Sequence, residues 1–412
     1  MINNQIKEAL DIIYNIEVVN ENPTFYLYNL NDISEKINNI ARNAPSNLNL
    51  YYAMKANPNK TVLKHMSANA DIKGVEIASY GELMEALKYF KHDNIIFTGP
   101  GKTEKELMTS IANGIKTINC ESAIEAFRIN KIAEELGRKV DILIRVNTNY
   151  HIDGAEEHMA GISTKMGIDE DDVSAIYNVI KEYKNINICG IHVFSASGIM
   201  DYELLIKYID YVFDLTSKLE KNGMPISIID FGGGIGIDYS REHKQFDIES
   251  YFSEMKKLVD KYGFHSKEFI LELGTYLVGE CGFYSTRIID IKEIKGMKHI
   301  ITAGGFHHIR LPVATHRKSP VFILNNNEEH FCNLQIGVEK EVVNIDGPLC
   351  MDEDRLSWDE YVEKAEIGDY VVITQAGAYC YSAAGLLFLS HELPFEFSLN
   401  SKGDIIYGWC FC

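Results

Sequence analysis

The 412-residue sequence has no surplus of positive charge: 40 Lys and Arg stand against 59 Asp and Glu, giving a formal net charge of -19. A nucleic-acid surface or a site on an anionic membrane needs clustered Lys and Arg, so neither partner is expected. Long apolar runs are also missing. No stretch reaches the ~18 residues of a membrane span, and Lys7, Glu8 and Asp11 break up the N-terminal segment that a signal peptide would require. The expectation is a cytoplasmic chain. Cysteine pairing motifs are absent too: the eight cysteines, at 120, 189, 281, 332, 350, 380, 410 and 412, include no C-x-x-C pair. That scatter suits reduced thiols rather than a disulfide framework or a zinc site, and no metal is expected. There is no low-complexity linker and no internal repeat beyond a strand and helix rhythm.

What the sequence does have is apolar content, at 46%, and a regular alternation of strand and helix signals. Candidate strands lie at 47–54, 74–78, 94–97, 117–119, 141–146, 186–193, 226–230 and 269–272, each followed by helical texture. Eight such repeats in roughly 240 residues are what a (β/α)8 barrel requires. Asp32 with Glu35 reads as a capping-box start for a helix whose Ile33, Ile37 and Ile40 share a face. Past residue 282 the texture changes to short β-type runs at 283–291, 299–302, 321–324 and 370–374. The expected fold is therefore an α/β chain: a TIM-type (β/α)8 barrel over 31–280, then a mostly-β barrel or sandwich domain over 281–412. Residues 1–30, with an aromatic run at Thr24 to Tyr28, are expected to pack back on the β-domain.

Chemistry in such a barrel collects at the C-terminal ends of its strands. Lys55 stands at one of them, in Tyr51-Tyr52-Ala53-Met54-Lys55-Ala56-Asn57. A desolvated lysine has a lowered pKa and becomes a nucleophile toward an aldehyde such as that of pyridoxal phosphate, forming a Schiff base. The alternative is a strand-end lysine that simply reaches solvent. A second signal is Asp230-Phe231-Gly232-Gly233-Gly234-Ile235-Gly236, directly after an apolar run. Glycines there let backbone N–H groups cradle a phosphate. A dinucleotide fingerprint would open a helix at this point, and Ile237-Asp238-Tyr239-Ser240 does not. His192 and Glu272 also fall at strand ends.

The segments YYAMKANPN, VEIASYGEL, FTGPGKT, IHVFS, DFGGGIG, Glu272-Leu273-Gly274, GPLCMDED and GAYCYS appear in the order found in the fold-type III pyridoxal-phosphate decarboxylases. The chain, from about residue 24 to 398, resembles this ornithine and diaminopimelate decarboxylase family. Gly304 to Pro312 and His158 to Gly161 look most like a secondary-metabolism branch. That branch includes a citryl-diaminopropionate decarboxylase of siderophore assembly and a glutamyl-carrier-protein decarboxylase.

The resemblance implies roles. Lys55 would hold the cofactor and Glu272 would pair with its pyridine nitrogen, keeping the ring an electron sink. His192 would stack on the ring; Ser195, Gly233, Gly234 and Ile235 would bind the phosphate, with a hydroxyl from Tyr379. Glu76 stands where the family more often has Asp, and Arg145 would orient the substrate carboxylate or stack near His192. Cys350, contributed by a neighbouring subunit, would return a proton to the α-carbon, which implies a homodimer with composite sites. In the same loop Asp354 would contact the distal part of the substrate. Arg310 hints at an acidic far end, and His307 and His308 could hydrogen-bond a citryl or amide group.

Two departures stand out. The family's Glu-x-Gly-Arg is here Glu272-Leu273-Gly274-Thr275, so the phosphate-clamping arginine is replaced by a neutral hydroxyl. Lys102 is a candidate cation to compensate. Phe194 replaces a glycine and crowds the phosphate side. The implied activity is removal of the α-carboxylate from an amino acid, or from a siderophore-type or carrier-linked conjugate, with meso-diaminopimelate ranked second. Two other readings stay open: an alanine-racemase-like enzyme, disfavoured by Asn57-Pro58-Asn59-Lys60 after the lysine, and an inactive decarboxylase-like regulator, favoured only by Thr275. His307, His308 and His316 lack the spacing and acidic partner of a metal hydrolase.

Overall fold

A computed structural model describes residues 2–152, 157–158, 160–240, 242, 244–310, 319–325 and 337–408. Met159, Leu311, Pro312, His316 and three of the cysteines (332, 410 and 412) lie outside the described residues.

The eight expected strands form, at Leu48–Ala53, Ile72–Ile77, Ile95–Phe97, Thr117–Cys120, Val140–Asn147, Ile186–Val193, Ile228–Asp230 and Glu268–Leu273. Here they are numbered as the first to eighth barrel strands. All pair in parallel, and the eighth returns to the first through Phe269↔Leu48 to Leu273↔Tyr52, so the barrel closes and leaves no edge. Strand residues alternate between two cores. Tyr51, Ile96, Leu143, Ile228 and Ile270 fill the interior, while Tyr52, Val75, Ile144 and Ile229 belong to the larger cluster under the helices.

Helix starts are set by side-chain caps. Thr103 and Glu106 form a full capping box before Glu104–Asn113, which ends at Gly114 in the left-handed region (φ 67°). The first barrel helix corrects the sequence reading: it runs Leu30–Asn43, capped by Asn29, whose side chain accepts from Asn31 N at 3.2 Å, rather than starting at Asp32. Its apolar face of Ile33, Ile37 and Ile40 is buried as expected.

The second sheet is centred on Gly282–Ile294, which pairs with Met297–Thr302, Tyr370–Ile373 and Thr24–Asn29. Thr24–Asn29 also pairs in parallel with Phe395–Leu399. The N-terminal helix Asn4–Tyr14 covers this region, burying Ile6, Leu10 and Ile13 against Phe25, Phe283, Val372 and Phe397. One loop of this sheet, Ala376 to Ser382, reaches the barrel mouth. Asn57 Nδ2 donates to Gly377 O at 2.9 Å, Tyr379 N to Ala56 O at 2.8 Å and Ser382 Oγ to Lys55 O at 3.3 Å. Only glycine fits at 377, because a Cβ there would lie 1.7 Å from Val278 O.

Candidate active site

The first barrel strand ends in a single 3-10 turn, Met54–Ala56, that turns Lys55 into the barrel mouth. Its Nζ lies 3.1 and 3.0 Å from the two oxygens of Glu76, at the end of the second strand. Glu76 is fully buried, and Lys55 faces a cavity of about 520 Å3 lined also by Ser79, Glu82, Tyr379 and Ser382. Burial pulls the Lys55 ammonium down, but the Glu76 charge, reinforced by Tyr379 and Glu272, outweighs it and holds Lys55 above the ordinary lysine value. This corrects the expectation of a lysine with a lowered pKa. Burial pushes the Glu76 carboxyl up to about 7 against the pull of Lys55.

The floor of the mouth comes from the later strands. Arg145, His192 and Asp230 stand in register across the fifth, sixth and seventh strands, and Glu272 projects from the eighth. All four are buried. His192 Nε2 is 3.8 Å from Glu272 Oε2, and burial keeps the imidazole below its ordinary pKa. Burial raises Glu272, yet His192 and the Lys55 charge outweigh it and hold the carboxyl below its usual range. Arg145 Nη1 donates to Glu121 Oε1 at 2.8 Å, so Arg145 is engaged with a carboxylate just past the end of the fourth strand. Sequence reasoning missed Glu121 and Asp230 as site residues. Glu121 directly follows the short, buried fourth strand Thr117–Cys120, a strand end like that of Lys55 but with a weaker apolar run before it.

Beside this floor lies the glycine run. Gly232 and Gly234 adopt φ 62° and 121°, and a Cβ on Gly233 would lie 2.4 Å from Glu272 O. Among the described residues, none accepts from the backbone N–H of Gly233, Gly234 or Ile235, which leaves three consecutive donors free for an anion. Ser195 is buried after the sixth strand, and Thr275 is half-buried in the turn after the eighth. Phe194 packs its ring on the run: a Cβ on Gly232 would meet Phe194 Cδ2 at 2.7 Å. Lys102 is not available as a substitute cation. It is buried on Gly99 O at 2.7 Å, Asn119 O at 2.7 Å and Glu125 Oε1 at 2.6 Å.

A mouth that combines an amine at the rim, a donor cradle and a buried carboxylate fits an aromatic aldehyde phosphate with a basic ring nitrogen. Both ring nitrogens of His192 are buried without partners, as those of an imidazole waiting to stack on a ring would be. Residues 30–279, which contain all of these groups, match the family model described as "Pyridoxal-dependent decarboxylase, pyridoxal binding domain". The chain belongs to the pyridoxal-dependent decarboxylases.

This decarboxylase is 31% identical over 381 residues to the 2-[(L-alanin-3-ylcarbamoyl)methyl]-2-hydroxybutanedioate decarboxylase of Staphylococcus aureus, covering 92% of this chain and 95% of the relative. It is 30% identical to the L-glutamyl-[BtrI acyl-carrier protein] decarboxylase of Niallia circulans, covering 90% and 87%. A crystal structure of diaminopimelate decarboxylase from M. jannaschii in complex with L-lysine superposes with a TM-score of 0.84 at 25% identity, covering 95% and 90%. The enzyme is a pyridoxal-phosphate-dependent lyase.

The β-domain residues of the decarboxylase divide. Tyr379 lies at the cavity, with its backbone held in the left-handed region (φ 55°) by the bond to Ala56. Cys350 is exposed on the loop between Val338–Asp346 and Arg355–Ala365. Asp354 corrects the expectation of a substrate contact. Its carboxylate is 2% exposed, accepts from Phe306 N at 2.7 Å and Leu349 N at 2.8 Å, and is sandwiched between Gly305 and Gly347, where any Cβ would collide. His308 is likewise unavailable to substrate, with Nε2 2.8 Å from Glu392 O and Nδ1 3.2 Å from Tyr284 OH. His307 is fully buried between the rings of His308 and His391, at centroid distances of 3.9 and 4.6 Å. Both ring nitrogens of His308 are thus spent on the protein, whereas those of His307 are buried without partners. Arg310 is exposed, its backbone N donating to Cys380 O at 3.0 Å. Among the described residues, no helix is long and apolar enough to cross a membrane.

Proposed function

We propose that this decarboxylase removes the α-carboxylate of an amino-acid moiety carried in a larger conjugate with an acidic far end. The observation that carries the reading is the near full-length likeness to an enzyme whose substrate, by name, joins an alaninyl group through a carbamoyl link to a hydroxybutanedioate. The exposed Arg310 guanidinium supports it as the group for a distal carboxylate. A carrier-linked amino acid and meso-diaminopimelate rank behind it, on the other relatives.

Pyridoxal phosphate, when bound, supplies a sink for the electrons of the bond that breaks at the α-carbon. Lys55 would anchor it, and Glu76, 3.0 Å from Nζ, holds the free ammonium at the rim. The N–H groups of Gly233, Gly234 and Ile235, with Ser195, Thr275 and Tyr379, would take the phosphate. Glu272 would pair with the ring nitrogen and hold a proton there, and His192 would support the ring face. Arg145 holds Glu121, which also accepts from Gly99 N and Gly167 N and so ties three loops of the mouth together. Cys350, exposed on its own chain, returns a proton to the α-carbon in the cleft of a second copy. The exposed apolar loop at Leu387, Phe388 and Leu389 supports such a homodimer, because a surface patch of this kind marks an interface. Five described cysteines are free thiols, which suits the cytoplasm.

The test is CO2 release with mass spectrometry of the amine product. Purified enzyme with pyridoxal phosphate is offered the conjugate, glutamyl-loaded carrier protein, meso-diaminopimelate, ornithine, lysine and arginine. The conjugate is expected to react fastest. Faster turnover of free diaminopimelate overturns the substrate assignment, and no turnover of any amino acid favours the regulator reading that Thr275 raises.

A further inference from the structure

Asp230 is the last residue of the seventh barrel strand, enclosed by groups from four other strands: Tyr51, Glu76, His192 and Glu272. One of its oxygens is committed, Oδ1 accepting from Gly232 N at 2.9 Å. The other, Oδ2, is buried with no partner, and so is Glu272 Oε1. Ligand atoms of Asp230, Glu272 and His192 all lie within 4.8 Å of one another. Two ionised carboxylates this close and this deeply buried repel strongly. A single proton between them removes both the repulsion and the two unsatisfied acceptors.

We propose that Asp230 is the neutral acid of this pair and donates its proton to Glu272 Oε1, so that it positions the Glu272 carboxylate for the cofactor's ring nitrogen. The proton belongs on Asp230 because the cationic and donor groups of the site are arranged around Glu272: His192 Nε2 faces its Oε2, and the Lys55 charge acts on it. Asp230 has one amide donor, Gly232 N, and the carboxylates of Glu272 and Glu76 act against its charge. Burial and the Glu272 charge both push it well above the carboxylate range. Glu272 is thereby left as the one anion of the pair, with Oε1 tied back to Asp230 and Oε2, 3.8 Å from His192 Nε2, left for the ring nitrogen. The proposal rests on the reading that Glu272 serves the ring nitrogen.

Asparagine mimics a protonated aspartate, since it keeps an oxygen for Gly232 N and offers an N–H to Glu272. Two measurements on the cofactor-loaded enzyme test the proposal. In protein carrying 13C at the aspartate carboxyls, infrared spectra at mildly alkaline pH are expected to show a protonated-acid C=O band that disappears in Asp230→Asn. Asp32, pushed up to about 6, is ionised there and does not contribute. In absorbance titrations, Asp230→Asn is expected to weaken pyridoxal phosphate binding by no more than about three-fold and Asp230→Ala by about ten-fold or more. Absence of the band in the wild type, or equal losses in the two variants, overturns the proposal. If Asp230→Asn fails to fold, the wild-type band alone decides. Failure of the Glu272 reading looks different: Glu272→Gln would then leave the bound cofactor's absorbance unchanged while the aspartate band persists.

Discussion

Lys55 Nζ sits 3.0 Å from Glu76 Oε2, and the acid of this pair is fully buried while the amine faces the cleft. The arrangement stores the cofactor-binding amine as an ammonium. Glu76→Gln removes the countercharge, so the Lys55 pKa is expected to fall. In the cofactor-free protein, acylation of Lys55 followed by peptide mass spectrometry should speed up several-fold near neutral pH, with its pH profile moved down. An unchanged profile would mean that Glu76 does not control the amine.

The Asp354 clamp links the turn that carries His307 and His308 to the loop that carries Cys350. Truncation in Asp354→Ala strands the N–H groups of Phe306 and Leu349, each worth about 1–3 kcal/mol. Lower thermal stability is expected, together with a changed rate of Cys350 alkylation measured on its peptide and a fall in kcat larger than any rise in KM. Unaltered Cys350 reactivity would confine Asp354 to the β-domain.

Burial and the neighbouring His391 push His307 down to about 4, below its ordinary value. A histidine whose folded pKa is depressed stabilises above its unfolded pKa of ~6.5, and that stability is lost as pH falls toward the folded value. Urea unfolding is therefore expected to show stability dropping between these two pH values. His307→Phe, of similar shape, should flatten the drop by up to one proton, about 1.4 kcal/mol per pH unit. An identical slope would show that His307 is charged in the fold.

Thr275 offers the phosphate one neutral hydroxyl. Thr275→Arg adds a charge-assisted donor, worth roughly 1.5–3 kcal/mol, and is expected to tighten pyridoxal phosphate binding about ten-fold or more in a fluorescence titration. Weaker binding would mean that the site has closed around the smaller residue.

Much of this was legible in the chain because barrel chemistry falls at strand ends. Lys55, Glu76, His192 and Glu272 each follow an apolar run, and the glycine run can serve only as a close-approach loop. Strands Val338–Asp346 and Arg355–Ala365 escaped the sequence reading because Glu339, Lys340 and Val342 are exposed in one of them, which breaks the apolar alternation. The pKa of Lys55 was misjudged for a different reason: its sign depends on a carboxylate 21 residues away in sequence, which only closure of the barrel brings to 3.0 Å. Asp354 and His308 read as ligands by position, yet their polar atoms are spent on backbone and tyrosine partners that sequence does not reveal.

The most direct test is to load the enzyme with pyridoxal phosphate, reduce it with borohydride to fix the cofactor on the amine that holds it, and map the added mass by peptide sequencing. A pyridoxyl group on the peptide containing Lys55, and on no other lysine, is the expected result. Attachment at another lysine, or none in a preparation that releases CO2 from the conjugate, would contradict a site built around Lys55.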